Sequence, residues 1–266
     1  VRKGKETKTS VGRKNEIIES RWINVGDRLV HYRASVNPSN SNLPPIILVH
    51  GLGVSSRYMI PTARKLAPHR TIYALDLPGF GRSGKPTHAL NITELSDALA
   101  QWMELLGIDR AVLLANSIGC QIVVDLALRR PELVEQLVLI SPTVDSEART
   151  VFRSFLRLLL DVPRERVSLG FIALLDYLQA GLGRTAQTFG YAIQDKIEER
   201  LPGVKQPVLV VRGEHDPVVP ERWAEEVNRL LPSSQLVVIK GAAHAVNHHS
   251  PGQLAQCVLE FLRSEE

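Results

Sequence analysis

Two spacings of apolar residues alternate along the chain. Runs that are apolar at nearly every position fall at residues 46–49, 71–75, 111–115, 137–140, 208–211 and 236–239. Strands apolar on both faces belong in a sheet covered on both sides, the usual setting of parallel strands. Between these runs the spacing lengthens to that of a helix. Residues 92–106 place Leu95, Leu99, Trp102, Leu105 and Leu106 on one face. Related patterns occupy 55–66, 118–130, 221–230 and 251–262. The helix at 118–130 stops before Pro131, and the last opens on Ser250 and Pro251, suited to the N-cap and first helical positions. The opening is different: 22–25 and 29–34 flank Gly26-Asp27 and read as a hairpin, hence an antiparallel edge. A Pro/Asn/Ser loop follows at 37–45. The alternation predicts an α/β fold with a largely parallel sheet and helices on both faces.

One stretch breaks this pattern. Residues 146–203 hold no strand signal but several helical patterns rich in Leu, Phe and Arg. Phe152, Phe155, Leu156, Leu158, Leu159 and Leu160 form one apolar cluster, and Phe171, Ile172, Leu174, Leu175, Tyr177 and Leu178 another. Inserted between two sheet strands, such a segment is either a cap over a site or an extra packing layer. No internal repeat or low-complexity tract interrupts the chain.

Composition narrows the class further. A chain of 266 residues with 44% hydrophobic and 23% charged residues suits one globular domain, not a disordered or fibrous one. The apolar runs are too short to span a bilayer, so no membrane partner is expected. A pI near 9.2 invites a nucleic-acid reading. The excess is local, however: Arg2, Lys3, Lys5, Lys8, Arg13 and Lys14 meet only Glu6, so the first fourteen residues carry +5 and the remainder −1. No nucleic-acid partner is expected. Residues 1–20 are expected to form a basic, frayed tail, neither signal nor anchor. Cys120 and Cys257 show no metal-ligand spacing and imply no disulfide framework, which fits a cytoplasmic location.

Four sites carry candidate chemistry. In Ala115-Asn116-Ser117-Ile118-Gly119 a buried strand runs into a helix with serine at the corner. Such an elbow needs small flanking residues because strand and helix backbones crowd there, and it leaves the hydroxyl exposed at the strand's end. His50-Gly51-Leu52-Gly53 follows the strand at 46–49 and can turn backbone N–H groups toward an oxyanion. The N–H groups of Leu52 and Ile118 are the candidate donors, with Gly51 and Gly53 beside the substrate; the His50 side chain is read as structural. Gly213-Glu214-His215-Asp216 and Gly241-Ala242-Ala243-His244 follow two further strands, at the edge where open α/β sheets bind ligands.

Together with Asp76-Leu77-Pro78-Gly79-Phe80-Gly81-Arg82-Ser83, and with Pro251 after His244, these motifs resemble the α/β-hydrolase superfamily. They are most similar to its branch of cap-bearing esterases, carbon–carbon bond hydrolases, epoxide hydrolases and cofactor-free haloperoxidases. The resemblance runs from about Trp22 onward. It implies an eight-stranded, mostly parallel sheet, a core at 21–145 and 204–266, and a helical lid at 146–203 after the sixth strand. It also implies a catalytic Ser117, Asp216 and His244 acting on a small-molecule ester without metal or organic cofactor. Two positions depart from the family's pattern, Ala115 in place of glycine and Cys120 where glycine or alanine is more usual, but neither is a catalytic group.

Several positions have rivals. Asp145 also follows a strand and competes with Asp216; His248 and His249 compete with His244. Asp76 is read as organising its turn, Glu214 as a turn residue and Cys120 as a buried small residue. Phe152, Phe155 and Leu156 either line an acyl pocket or pack one lid helix on another. Arg149, Arg153, Arg157, Arg164 and Arg166 form a basic stripe, either solvated or set to meet an anionic substrate. A carbon–carbon bond hydrolase of the meta-cleavage-product type, and a ligand receptor without turnover, stand as alternatives to the esterase.

Overall fold

The computed structural model describes residues 17–36 and 43–264; most of the expected tail and of the loop at 37–45 lies outside them. Among the described residues eight strands form one sheet. They are β1 (Ile18–Val25), β2 (Arg28–Ser35), β3 (Ile46–Val49), β4 (Ile72–Leu75), β5 (Ala111–Asn116), β6 (Val134–Ile140), β7 (Val208–Gly213) and β8 (Ser234–Ile239). Their spatial order is β1-β2-β4-β3-β5-β6-β7-β8. β1 and β2 pair antiparallel with Val25 opposite Arg28, which leaves Gly26-Asp27 as a two-residue turn. Gly26 sits at φ 62, where a Cβ would be strained. β2 also runs antiparallel to β4, and every later pairing is parallel. β1 begins earlier than its apolar signal: Ile18 is buried opposite Ser35, so residues 18–20 belong to the sheet and not to the tail. Glu19, Ser20 and Arg21 hide that start because their half-exposed strand tolerates polar side chains.

Helices α1 (Ile60–Leu66), α2 (Ile92–Leu105) and α3 (Ile118–Arg129) connect the first strands. α4 (Val151–Asp161), α5 (Val167–Ala180), α6 (Leu182–Gln194) and α7 (Ile197–Arg200) fill the interval between β6 and β7, where the strand signal is missing. α8 (Glu221–Leu230), α9 (Val246–His249) and α10 (Pro251–Ser264) follow. Alternate residues of one strand feed two cores, as a strand's two-residue period requires. Ile47 and Val49 of β3 pack with the buried faces of α2, α3 and α8, whereas Ile46 and Leu48 pack with α1 and α10. Asn91 starts α2 with a capping box: its side chain accepts from the Glu94 N–H and the Glu94 carboxylate accepts from the Asn91 N–H. The helix expected over 55–66 is split, a 3-10 turn at Ser56–Met59 preceding α1. Pro61 in the first turn favours a new helical start there. Among the described residues no helix is long and apolar enough to cross a membrane.

Candidate active site

The end of β5 delivers Ser117 at φ 58, ψ −126, a strained conformation for a residue with a Cβ, and α3 begins at the next residue. The crowding that makes this turn demand small neighbours is visible at Gly119. A Cβ there would lie 2.8 Å from the carbonyl oxygens of both Val49 and His50. Cys120 is fully buried, with its Sγ 3.4 Å from the Ala115 carbonyl and 3.5 Å from that of Ile140. Burial pushes its thiol well above the ordinary value, so it is a packed side chain and not a nucleophile. The Ser117 hydroxyl lies 3.5 Å from Thr143 Oγ1, at the outer limit of a hydrogen bond.

Asp216 and His244 meet beyond the ends of β7 and β8. Asp216 Oδ1 accepts from the N–H groups of Val218 at 2.8 Å and Val219 at 3.0 Å, which fixes the carboxylate, while Oδ2 faces His244 Nδ1 at 3.0 Å. A carboxylate can only accept, so Nδ1 carries a proton, and Nε2 becomes the free base when the ring is neutral. His244 Nε2 is buried and has no protein partner among the described residues. The two loops are pressed together at Gly213, where a Cβ would come within 2.2 Å of the Ala243 carbonyl oxygen. Glu214 ties the same loops by accepting from the Gly241 N–H at 2.8 Å. Asp145, the rival acid, accepts instead from Arg157 and Arg222, each at 2.6 Å. His249 lies 3.8 Å from Glu165, and His248 is buried; the imidazole that Asp216 holds is that of His244.

Two acids that sequence reasoning missed stand behind His244. Asp161, the last residue of α4, accepts from the His244 N–H at 3.2 Å, and Glu165 accepts from the Ala245 N–H at 2.6 Å. The two carboxyls lie close enough to act on each other's charge. Burial, with Glu165 and Asp216 nearby, raises Asp161 to about 7, and burial raises Glu165 as well. Burial disfavours a charged His244, yet Asp216, then Asp161 and Glu165, lift it to about 9. Asp216 shows the converse: burial opposes its charge, but His244 and the backbone donors hold it below its usual value. The available signal was position: Asp161 and Glu165 are the only acids between Thr150 and Leu175, a stretch rich in Leu, Phe and Arg.

The glycine loop after β3 is held by side chains. His50 is neutral and structural, its pKa lowered by burial; Nδ1 bonds the Gly51 carbonyl at 2.8 Å and Nε2 accepts from the Leu77 N–H at 2.9 Å. The Tyr58 hydroxyl accepts from the Gly51 N–H at 2.9 Å and donates to Asn116 Oδ1 at 2.8 Å. Asn116 Nδ2 in turn donates to the carbonyls of Ile140 and His244. Neither the Leu52 nor the Ile118 N–H has a protein acceptor among the described residues. Asp76 organises its turn, accepting from the N–H groups of Ser56 and Arg82 and contacting His31 Nδ1 at 2.8 Å.

These groups open on one cavity with about 880 Å³ of empty space, part of it open solvent. Gly51, Leu52, Ser117, Ile118 and His244 form its floor, and Ser154, Leu158, Leu169, Ala173, Tyr177 and Phe189 line it from α4, α5 and α6. Three expected pocket residues are elsewhere. Phe152, Phe155 and Leu156 are 74%, 53% and 46% exposed and do not line the cavity. They fall on the opposite face of α4 from Ser154, Leu158 and Asp161, so the apolar cluster in sequence is the outer face of the helix. Gly53 is also not a lining residue; at φ 72 it lets the Tyr177 ring approach to where a Cβ would stand, 2.6 Å from the nearest ring atom.

An eight-stranded, mostly parallel sheet with a strained serine corner at the end of a central strand defines an α/β-hydrolase fold. A profile of the alpha/beta hydrolase family matches residues 46–256, and the chain belongs to that family. Among curated relatives, an uncharacterised protein of Mycobacterium tuberculosis is 27% identical over 279 residues, covering 90% of this chain and 81% of its own. A 2-(acetamidomethylene)succinate hydrolase of Mesorhizobium japonicum is 25% identical over 270 residues, covering 91% and 95%. An enol-lactonase from Burkholderia xenovorans superposes with a TM-score of 0.78 at 24% identity over 91% of this chain and 99% of its own, a likeness of fold.

Proposed function

We propose that the protein is a serine hydrolase that cleaves a carboxylic ester of a small or medium-sized substrate through an acyl-enzyme. The observation that carries this reading is the Asp216–His244 contact of 3.0 Å beside a cavity whose floor holds Ser117 at a strained corner. Ser117 turns from Thr143 toward His244 Nε2, which takes the hydroxyl proton as Oγ attacks the ester carbonyl. The N–H groups of Leu52 and Ile118 receive the oxyanion, each such donor contributing about 3–4 kcal/mol to the transition state. His244 then passes its proton to the leaving alcohol. A water activated by the same nitrogen releases the acid and restores Ser117. Asp216 keeps the ring in the Nδ1-protonated tautomer throughout, and α4 to α7 act as the cap that closes the cavity.

A carbon–carbon bond hydrolase would want a free arginine for a substrate carboxylate. Arg157 lines the cavity, but it is bound to Asp145, which favours the ester reading. The test is a panel of p-nitrophenyl esters with wild type and Ser117→Ala. The reading requires turnover by wild type and a loss of at least about 10⁴-fold in the variant; equal activity, or equal inertness, would overturn it.

A further inference from the structure

A helix beside an aqueous surface buries its apolar face and exposes its polar one. α4 does the reverse. It buries Ser154 and Asp161 and exposes Val151, Phe152, Phe155, Leu156, Leu159 and Leu160. α5 continues the pattern with Val167, Phe171, Leu174, Leu175 and Leu178, while its Asp176 is buried. Of the 19 large apolar side chains exposed among the described residues, 13 lie between Val151 and Leu182. Such a concentration of exposed Leu, Phe and Val on one face is what marks an interaction surface, since a soluble monomer scatters its exposed apolar side chains singly.

The charges of the segment are sorted in the same way. Asp161, Glu165 and Asp176, its only acids, are buried or half-buried and turned inward. Arg153, Arg164 and Arg166 are exposed, and none of the three pairs with a carboxylate among the described residues. The outer face is thus apolar with cationic charges only. We propose that this outward face of α4 and α5 docks on a lipid bilayer that carries anionic headgroups. Leu, Phe and Val would enter the boundary between headgroups and acyl chains while the three arginines meet lipid phosphates. A second copy of the chain is a poorer occupant, because the face offers no acid to receive its partner's arginines. The expectation of no membrane partner rested on the absence of a spanning run, and a helix lying in the interface needs none. The same helices roof the cavity above Ser117 on their inner faces, so docking would set the cavity beside the lipid. The docking itself does not depend on catalysis.

Flotation of the full chain with vesicles tests this directly. Phosphatidylcholine vesicles with and without phosphatidylglycerol are compared at low salt for wild type, a Phe155→Ser/Phe171→Ser/Leu174→Ser variant and an Arg164→Glu/Arg166→Glu variant. All are first shown to be folded and to melt like wild type. Wild type should float with the phosphatidylglycerol vesicles. The serine variant should lose at least tenfold in binding, and the glutamate variant should lose the preference for the anionic lipid. Wild type that floats with neither vesicle overturns the proposal. Undiminished binding of the serine variant does so too, assigning attachment to the basic residues 1–14. A wild-type dimer in light scattering that the serine variant dissociates assigns the face to a second copy instead.

Discussion

The hydroxyl of Tyr58 donates to Asn116 Oδ1 at 2.8 Å while accepting from the Gly51 N–H, so one side chain joins the glycine loop to the residue before Ser117. Asn116 extends the link to the His244 carbonyl. The oxyanion loop, the serine corner and the histidine loop are therefore registered to one another by buried, satisfied groups.

Tyr58→Phe removes the relay and leaves the Gly51 N–H and Asn116 Oδ1 unpaired in the interior. An unsatisfied buried group costs about 1–3 kcal/mol. Urea denaturation should show a loss of that size, and ester kinetics should show kcat falling more than KM changes, because the loop that places Leu52 loosens.

Asp216→Asn and Asp145→Asn separate the two candidate acids. The first keeps the size of the side chain but removes the charge that holds His244 in its tautomer, and kcat should fall by about 10⁴-fold. Asp145 is bound to Arg157 and Arg222, not to His244. Its substitution should lower stability while kcat stays within about tenfold of wild type.

The Asp161–Glu165 pair makes a pH prediction. His244, at about 9, and Asp161, at about 7, both lie above their unfolded values near 6.5 and 3.9. Each contribution to stability is complete below the unfolded value and is lost as pH rises through the folded one. Denaturation midpoints should fall from about pH 4 to pH 7 as the Asp161 contribution is lost and on to about pH 9 as that of His244 is lost, with the fall below about pH 7 less steep in Asp161→Asn. The same variant removes a negative charge facing His244, so the acidic limb of kcat/KM should move to lower pH.

Gly213→Ala tests the contact between the two loops. A Cβ would overlap the Ala243 carbonyl. The loops bearing Asp216 and His244 must move apart, with a stability loss of about 1–3 kcal/mol and a fall in kcat measured on the same ester.

Much of this was legible in the chain. Strands apolar at nearly every position marked the doubly covered sheet, and the glycines near Ser117 and Asp216, Gly119 and Gly213, marked where backbones crowd at its edge. What stayed hidden was direction. The apolar cluster of Phe152, Phe155 and Leu156 reads as core by composition, and only the packing of α4 shows that Ser154 and Asp161 take the inner face. Asp161 was equally hidden, since its role depends on the His244 backbone 83 residues away. The Tyr58–Asn116 link was hidden as well, because a hydrogen bond between residues 58 apart leaves no local trace even though Asn116 lies within the serine motif.

The central claim is that Ser117 is the activated nucleophile. A fluorophosphonate probe with intact-mass and peptide mapping measures this most directly. The account predicts one adduct per chain, on the peptide containing Ser117, abolished in Ser117→Ala and strongly slowed in His244→Ala. Folded wild-type protein that stays unlabelled, or carries the adduct on another residue, would contradict it.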